Sequence, residues 1–165
     1  MTNKDLELAA CFIATVLAVG CSSVRTYSNS LPPNLHIVTR VDSGSGLNST
    51  IAELDIHQVN ERCETEYQGR VFLESGISAV GIPVEQTVYL DFIFASKAFL
   101  SPNISATRFG TLLTPRPGHE YSASVNYDNG IYDVTLREGR KRSAASRVVV
   151  HRALQDCKPG LPVSP

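Results

Sequence analysis

Four cysteines and four histidines are the side chains of this chain best suited to chemistry, and their spacing limits what they can do. His36, His57, His119 and His151 stand singly. A zinc site needs three or four ligands converging on one ion, so these histidines would have to be gathered from separate elements. His57 with Asp55 and Glu53 is the nearest cluster. Alternate positions of one extended segment, however, put all three on a single polar face that reads as solvated. The chain contains no Gly-x-Ser-x-Gly elbow, no His-Glu-x-x-His, no phosphate-cradling glycine loop and no Cys-x-x-Cys. The reading is of a non-enzymatic protein with no catalytic residue, no metal site and no cofactor.

The cysteines, Cys11, Cys21, Cys63 and Cys157, say more. Residues 8–20 form an apolar and small-residue run in which Thr15 is the polar exception. That run is too short to cross a hydrocarbon core about 30 Å thick, which takes roughly 20 residues, but it has the length of a signal-peptide apolar region. It closes on Leu17-Ala18-Val19-Gly20-Cys21, preceded by Lys4 alongside Asp5 and Glu7. These residues resemble the bacterial lipobox, and the resemblance implies cleavage before Cys21, a lipid on Cys21 (acyl chains such as palmitate) and a membrane-anchored protein. Lipoproteins with Ser rather than Asp after the cysteine are usually carried to the outer membrane. Ser22 therefore implies an outer-membrane, periplasm-facing location. The alternatives are an ordinary secretory signal or a buried helix with a chance Gly-Cys.

Processing would also settle the cysteine count. Cys11 leaves with the signal and Cys21 takes the lipid, so Cys63 and Cys157 remain as one pair, expected as a disulfide. Two free thiols are the alternative, in a reducing compartment. Loss of residues 1–20 removes Lys4, Asp5 and Glu7, leaving 14 basic and 14 acidic residues. A neutral chain has no global field with which to recruit nucleic acid.

The elements that must position these groups read as strands. Residues 21–33, Ser-, Asn- and Pro-rich, are expected as a lipidated cysteine and flexible tether. Extended or alternating patterns cover 35–41, 51–59, 69–73, 87–95, 107–113, 120–127, 131–137 and 146–152. Residues 97–100 are a continuation past a bulge, and 75–83 a loop. Asp128-Asn129-Gly130 predicts a tight type I′ hairpin turn. At 165 residues the chain fits one domain, over 34–158, with a loose tail at 159–165. Seven or eight strands without a helix after the signal predict an all-β fold, an antiparallel β-sandwich, immunoglobulin-like or an open barrel.

Several stretches suggest binding. Arg137, Arg140, Lys141 and Arg142, with Arg147 nearby, are an anion-binding candidate able to meet lipopolysaccharide phosphates or an acidic partner, against the alternative of a solvated hairpin tip. Asp91 interrupts an apolar run and is expected at an outward position or near a strand edge. Gly81-Ile82-Pro83, the aromatic strand, Cys63 and Pro115-Arg116-Pro117-Gly118-His119-Glu120-Tyr121 are similar to an uncharacterised group of proteobacterial outer-membrane lipoproteins. That likeness implies an envelope β-sandwich and no activity. The group's second cysteine falls soon after the tyrosine, whereas here the late cysteine is Cys157. Ser43-Gly44-Ser45-Gly46 resembles the inhibitory loop of periplasmic inhibitors of c-type lysozyme, but Leu47-Asn48 follows where that family has Lys/Arg-Tyr. The function expected is a structural or binding role at the envelope, with the membrane and an envelope protein as partners. The alternative is an inhibitor of lysozyme or a similar envelope hydrolase.

Overall fold

The computed structural model describes residues 24–28, 30–42, 48–98, 104–128 and 131–159. The signal segment 1–20, Cys21, Ser22 and the 43–46 loop lie outside the described residues. Among the described residues there are nine strands: β1 (Leu35–Asp42), β2 (Asn48–Val59), β3 (Thr65–Leu73), β4 (Gly76–Val80), β5 (Val88–Ala98), β6 (Ile104–Leu113), β7 (His119–Asp128), β8 (Ile131–Arg140) and β9 (Ser146–Val148). They form a five-stranded sheet ordered β4-β1-β7-β8-β9 and a four-stranded sheet ordered β3-β2-β5-β6, packed as a sandwich.

Alternation along each strand builds the core, because successive side chains point to opposite faces. Ala52, Leu54 and Ile56 of β2 and Val88, Leu90, Phe92 and Phe94 of β5 meet Leu35 and Ile37 of β1 and Tyr121, Ala123 and Val125 of β7. The β7–β8 hairpin has the two-residue connection its Asn-Gly predicts, with Asp128 opposite Ile131.

Three features differ from expectation. The 75–83 stretch contains strand β4, paired antiparallel with β1. Its exposed Ile77 (78%) and short length leave no readable alternation; it is a strand because β1 needs a partner for its backbone groups. The β1–β7 pair is parallel, with Leu35 opposite Tyr121. Both strands enter the sheet from the same end, so the expected antiparallel arrangement gives way at this pair. β9 stops after three residues, and the chain crosses toward the other sheet, where the Leu112 N–H donates to the Arg152 carbonyl at 2.8 Å.

Two connections bind the sheets further. Gly118 takes φ +73° in the turn before β7, a conformation that favours glycine. The Arg116 N–H donates to the Tyr121 hydroxyl at 2.9 Å, a tyrosine-corner arrangement of the kind that pins strand entries in sandwiches. Within the stretch read as a tether, the Tyr27 N–H donates to Arg70 O at 2.9 Å and the Arg70 N–H to Arg25 O at 2.8 Å. The Tyr27 hydroxyl then reaches Gly81 O at 2.7 Å. Gly69 allows this approach: Tyr27 Cα lies 2.5 Å from where a Gly69 Cβ would project. Cys63, in the β2–β3 turn, is bonded to Cys157 across a sequence separation of 94. The bond holds the C-terminal segment after its short 3-10 turn, Leu154–Asp156.

Candidate functional site

The outer face of the four-stranded sheet gathers most of the polar groups that β2 and β5 point away from the core. Register places Asp55 opposite both Arg70 and Asp91, and Asp91 opposite Gly110, so one row crosses all four strands. His57 lies in the next row between Tyr67 and Tyr89, with ring centroids 5.3 and 6.0 Å away. Arg70 clamps Asp55 through two bonds, Nε to Oδ1 at 2.6 Å and Nη2 to Oδ2 at 2.7 Å. Its third nitrogen is 2.5 Å from Glu53. Asp55 and Glu53 thus lie on the outward face, as read, but are buried and half-buried rather than solvated.

Asp91 also points outward, but β5 is an inner strand and the residue is only 4% exposed. The expected edge position gives way to a covered one, because Tyr89 leans over Gly110 and Arg108 reaches across to Oδ2 at 2.8 Å. Oδ1 has no partner among the described residues. Burial raises the Asp91 carboxyl above its ordinary range, against the pull of Arg108 and with the help of Asp55. Burial lowers the His57 imidazole, with Asp55 and Asp91 acting the other way. This face can accept hydrogen bonds and stabilise positive charge. Among the described residues no group of three or more His, Cys, Asp or Glu is placed to hold a metal.

The Tyr89 cover is testable. The Tyr89 hydroxyl and ring occupy the place a Gly110 Cβ would take. Gly110→Val is therefore expected to displace Tyr89 and destabilise the sandwich by about 1–3 kcal/mol. Urea unfolding checks this, and an unchanged midpoint would contradict the packing.

A second cluster sits where β8 meets the end of the core. Glu138, 6% exposed, accepts from Arg116 Nε at 2.7 Å and Nη2 at 2.5 Å, from the Tyr121 hydroxyl at 2.9 Å and from Arg147 Nε at 2.9 Å. Burial alone would raise this carboxyl, but the bonds from Arg116, Tyr121 and Arg147 outweigh it and hold it at about 2. Sequence reading passed over Glu138, although the hairpin register sets it opposite Tyr121. Two cavities adjoin it, one of about 190 Å³ lined by Leu112, Leu113, Tyr121 and Val149 among others and one of about 270 Å³ lined by Arg116, His119 and Arg147 among others. A drug-sized ligand takes roughly 300–1,000 Å³, so the cluster reads as structural.

The basic candidates divide. Arg137 donates from Nε to Ser146 Oγ at 3.1 Å, and Arg147 belongs to Glu138. Arg140, Lys141 and Arg142 are exposed at the β8–β9 turn, and none of them forms an ion pair among the described residues. No protein-family model matches the chain, and neither a curated protein nor a solved structure is detectably similar to it.

Proposed function

We propose that the chain is a lipid-anchored domain of the bacterial cell envelope, held through Cys21 in the outer membrane, facing the periplasm and serving a structural or binding role. The observation that carries this reading is the bond between Cys63 and Cys157. Disulfides of this kind belong to oxidising compartments. Both cysteines downstream of Cys21 are used by it, so with Cys11 removed in the signal segment Cys21 is the thiol left for a lipid. The surface suited to binding is the outer face of the four-stranded sheet, where Tyr67, Tyr89 and His57 border the paired carboxylates and Phe72 and Ile51 stand exposed. Aromatic groups beside buried charge are the usual anchors of protein interfaces.

Metabolic labelling with a fatty-acid probe tests the anchor. Wild-type protein is expected to carry the label and Cys21→Ser to lose it; equal labelling of the two would remove the proposal.

A further inference from the structure

The docked N-terminal segment gives the anchor a direction. Arg70 of β3 is bonded on one side to Arg25 O and on the other to the Tyr27 N–H, the pattern of a parallel bridge centred on Thr26. In a parallel bridge both chains advance the same way. The described residues upstream of Thr26, Arg25 and Val24, therefore run toward the Thr65 end of β3, where the β2–β3 turn and Cys63 lie. Cys21 is three residues before Val24, and three residues reach at most roughly 10 Å. An anchor at Cys21 therefore attaches within that reach of Val24, beside β3.

The same end carries Arg140, Lys141 and Arg142. Gln58 pairs with Val88 and Val88 with Leu113, the 114–118 turn joins Leu113 to β7, and His119 pairs with Arg140. The β2–β3, β6–β7 and β8–β9 turns thus share one end. The Lys141 N–H donates to Gly118 O at 3.0 Å, tying two of these turns together. Arg140-Lys141-Arg142 sits on the far side of that end from β3, whose four-stranded sheet is roughly 15 Å wide. Acidic residues at this end, Glu61, Glu64 and Glu66, cluster with Arg62 around the β2–β3 turn. Asp156 and Lys158 lie near the disulfide, and Glu85 precedes β5. Around the basic turn the carboxylates are Glu138, already held by Arg116 and Arg147, and Glu120, across from Gly139.

We propose that this end of the sandwich faces the bilayer and that the Arg140-Lys141-Arg142 turn rests on headgroup phosphates, giving the domain a second contact beside its lipid. This inference rests on the lipid-anchor reading. Basic residues close to an anionic surface each strengthen the contact about fivefold, so three of them contribute roughly 100-fold. The consequence is an oriented domain, with the β7–β8 hairpin tip directed away from the membrane.

The test uses the full chain, expressed in a bacterium that processes lipoproteins and reconstituted in phosphatidylglycerol vesicles containing a headgroup-quencher lipid. A fluorophore is attached through Ala144→Cys, in the basic turn, or through Ile131→Cys, at the opposite end. Mass spectrometry of the Cys21 peptide reports acylation. Acylated protein is expected to be quenched strongly at 144 and weakly at 131. R140S/K141S/R142S, or vesicles of phosphatidylcholine alone, should abolish that contrast. Equal quenching at both positions on acylated protein overturns the orientation and leaves the anchor standing. Strong quenching at 144 that survives the triple substitution overturns the phosphate contact. A Cys21 peptide without an acyl mass overturns the anchor and the orientation with it.

Discussion

Replacing Cys63 and Cys157 with serine is expected to lower the unfolding free energy of the sandwich by about 4 kcal/mol. The bond spans a sequence separation of 94. In the chain-entropy account a loop of that length strongly restricts the unfolded chain. Native contacts give a second reason. From the end of β9 the segment carries exposed Val148 and Val150, and its contacts with the four-stranded sheet include the Leu112–Arg152 backbone bond, the Arg152 N–H to Thr111 Oγ1, His151 Nε2 at Gly110 O and the His151 ring against Phe109. Without the covalent tie this segment should fray and uncover the β6 edge. Small domains are stable by only about 5–15 kcal/mol, so the loss is large. Urea unfolding of wild-type and doubly substituted protein measures it, and reduction of the wild type should reproduce the substituted midpoint. A midpoint indifferent to reduction would contradict the role given to the bond.

Acid should remove a comparable contribution at Glu138. Its carboxyl is held at about 2 against an ordinary 4.5. A group depressed in the folded state contributes stability that is fully present above the unfolded value and lost as pH falls through the folded one. Stability is therefore expected to decline between pH 4.5 and 2, by about 3 kcal/mol from this residue. Asp91 acts with the opposite sign, because its carboxyl is raised in the folded state and protonation there favours folding. Glu138→Gln separates the two: it should flatten the acid limb and lower stability at neutral pH by about 3 kcal/mol, since Arg116 and the Tyr121 hydroxyl lose a charged partner. Unfolding midpoints from pH 7 down to 2 for both proteins decide the matter. An acid limb that survives the substitution would place the titrating group elsewhere.

How much could be read from the residues follows from which contacts are local. The β7–β8 hairpin was legible because an Asn-Gly pair predicts a two-residue connection, and the register that follows sets Tyr121 opposite Glu138. The same reasoning fails for Asp55 and Asp91. Their strands are neighbours in the sheet but separated in sequence by β3 and β4, so nothing local fixes which residues face each other. Alternation correctly put both carboxylates outside the core. Alternation does not report what lies over an outer face, so Arg70, Arg108 and Tyr89 as covers were hidden. β4 escaped notice because an edge strand with an exposed isoleucine carries no two-sided pattern. The basic stretch read as one patch; pairing across β8 and β9 draws Arg137 and Arg147 into bonds and leaves three cations at the turn.

The intact mass of the protein purified from envelope membranes tests the central claim most directly. A chain beginning at Cys21, heavier by its acyl groups and lighter by the two hydrogens of the Cys63–Cys157 bond, is the predicted result. An unmodified mass, or one that retains residues 1–20, would contradict the lipid-anchored envelope domain.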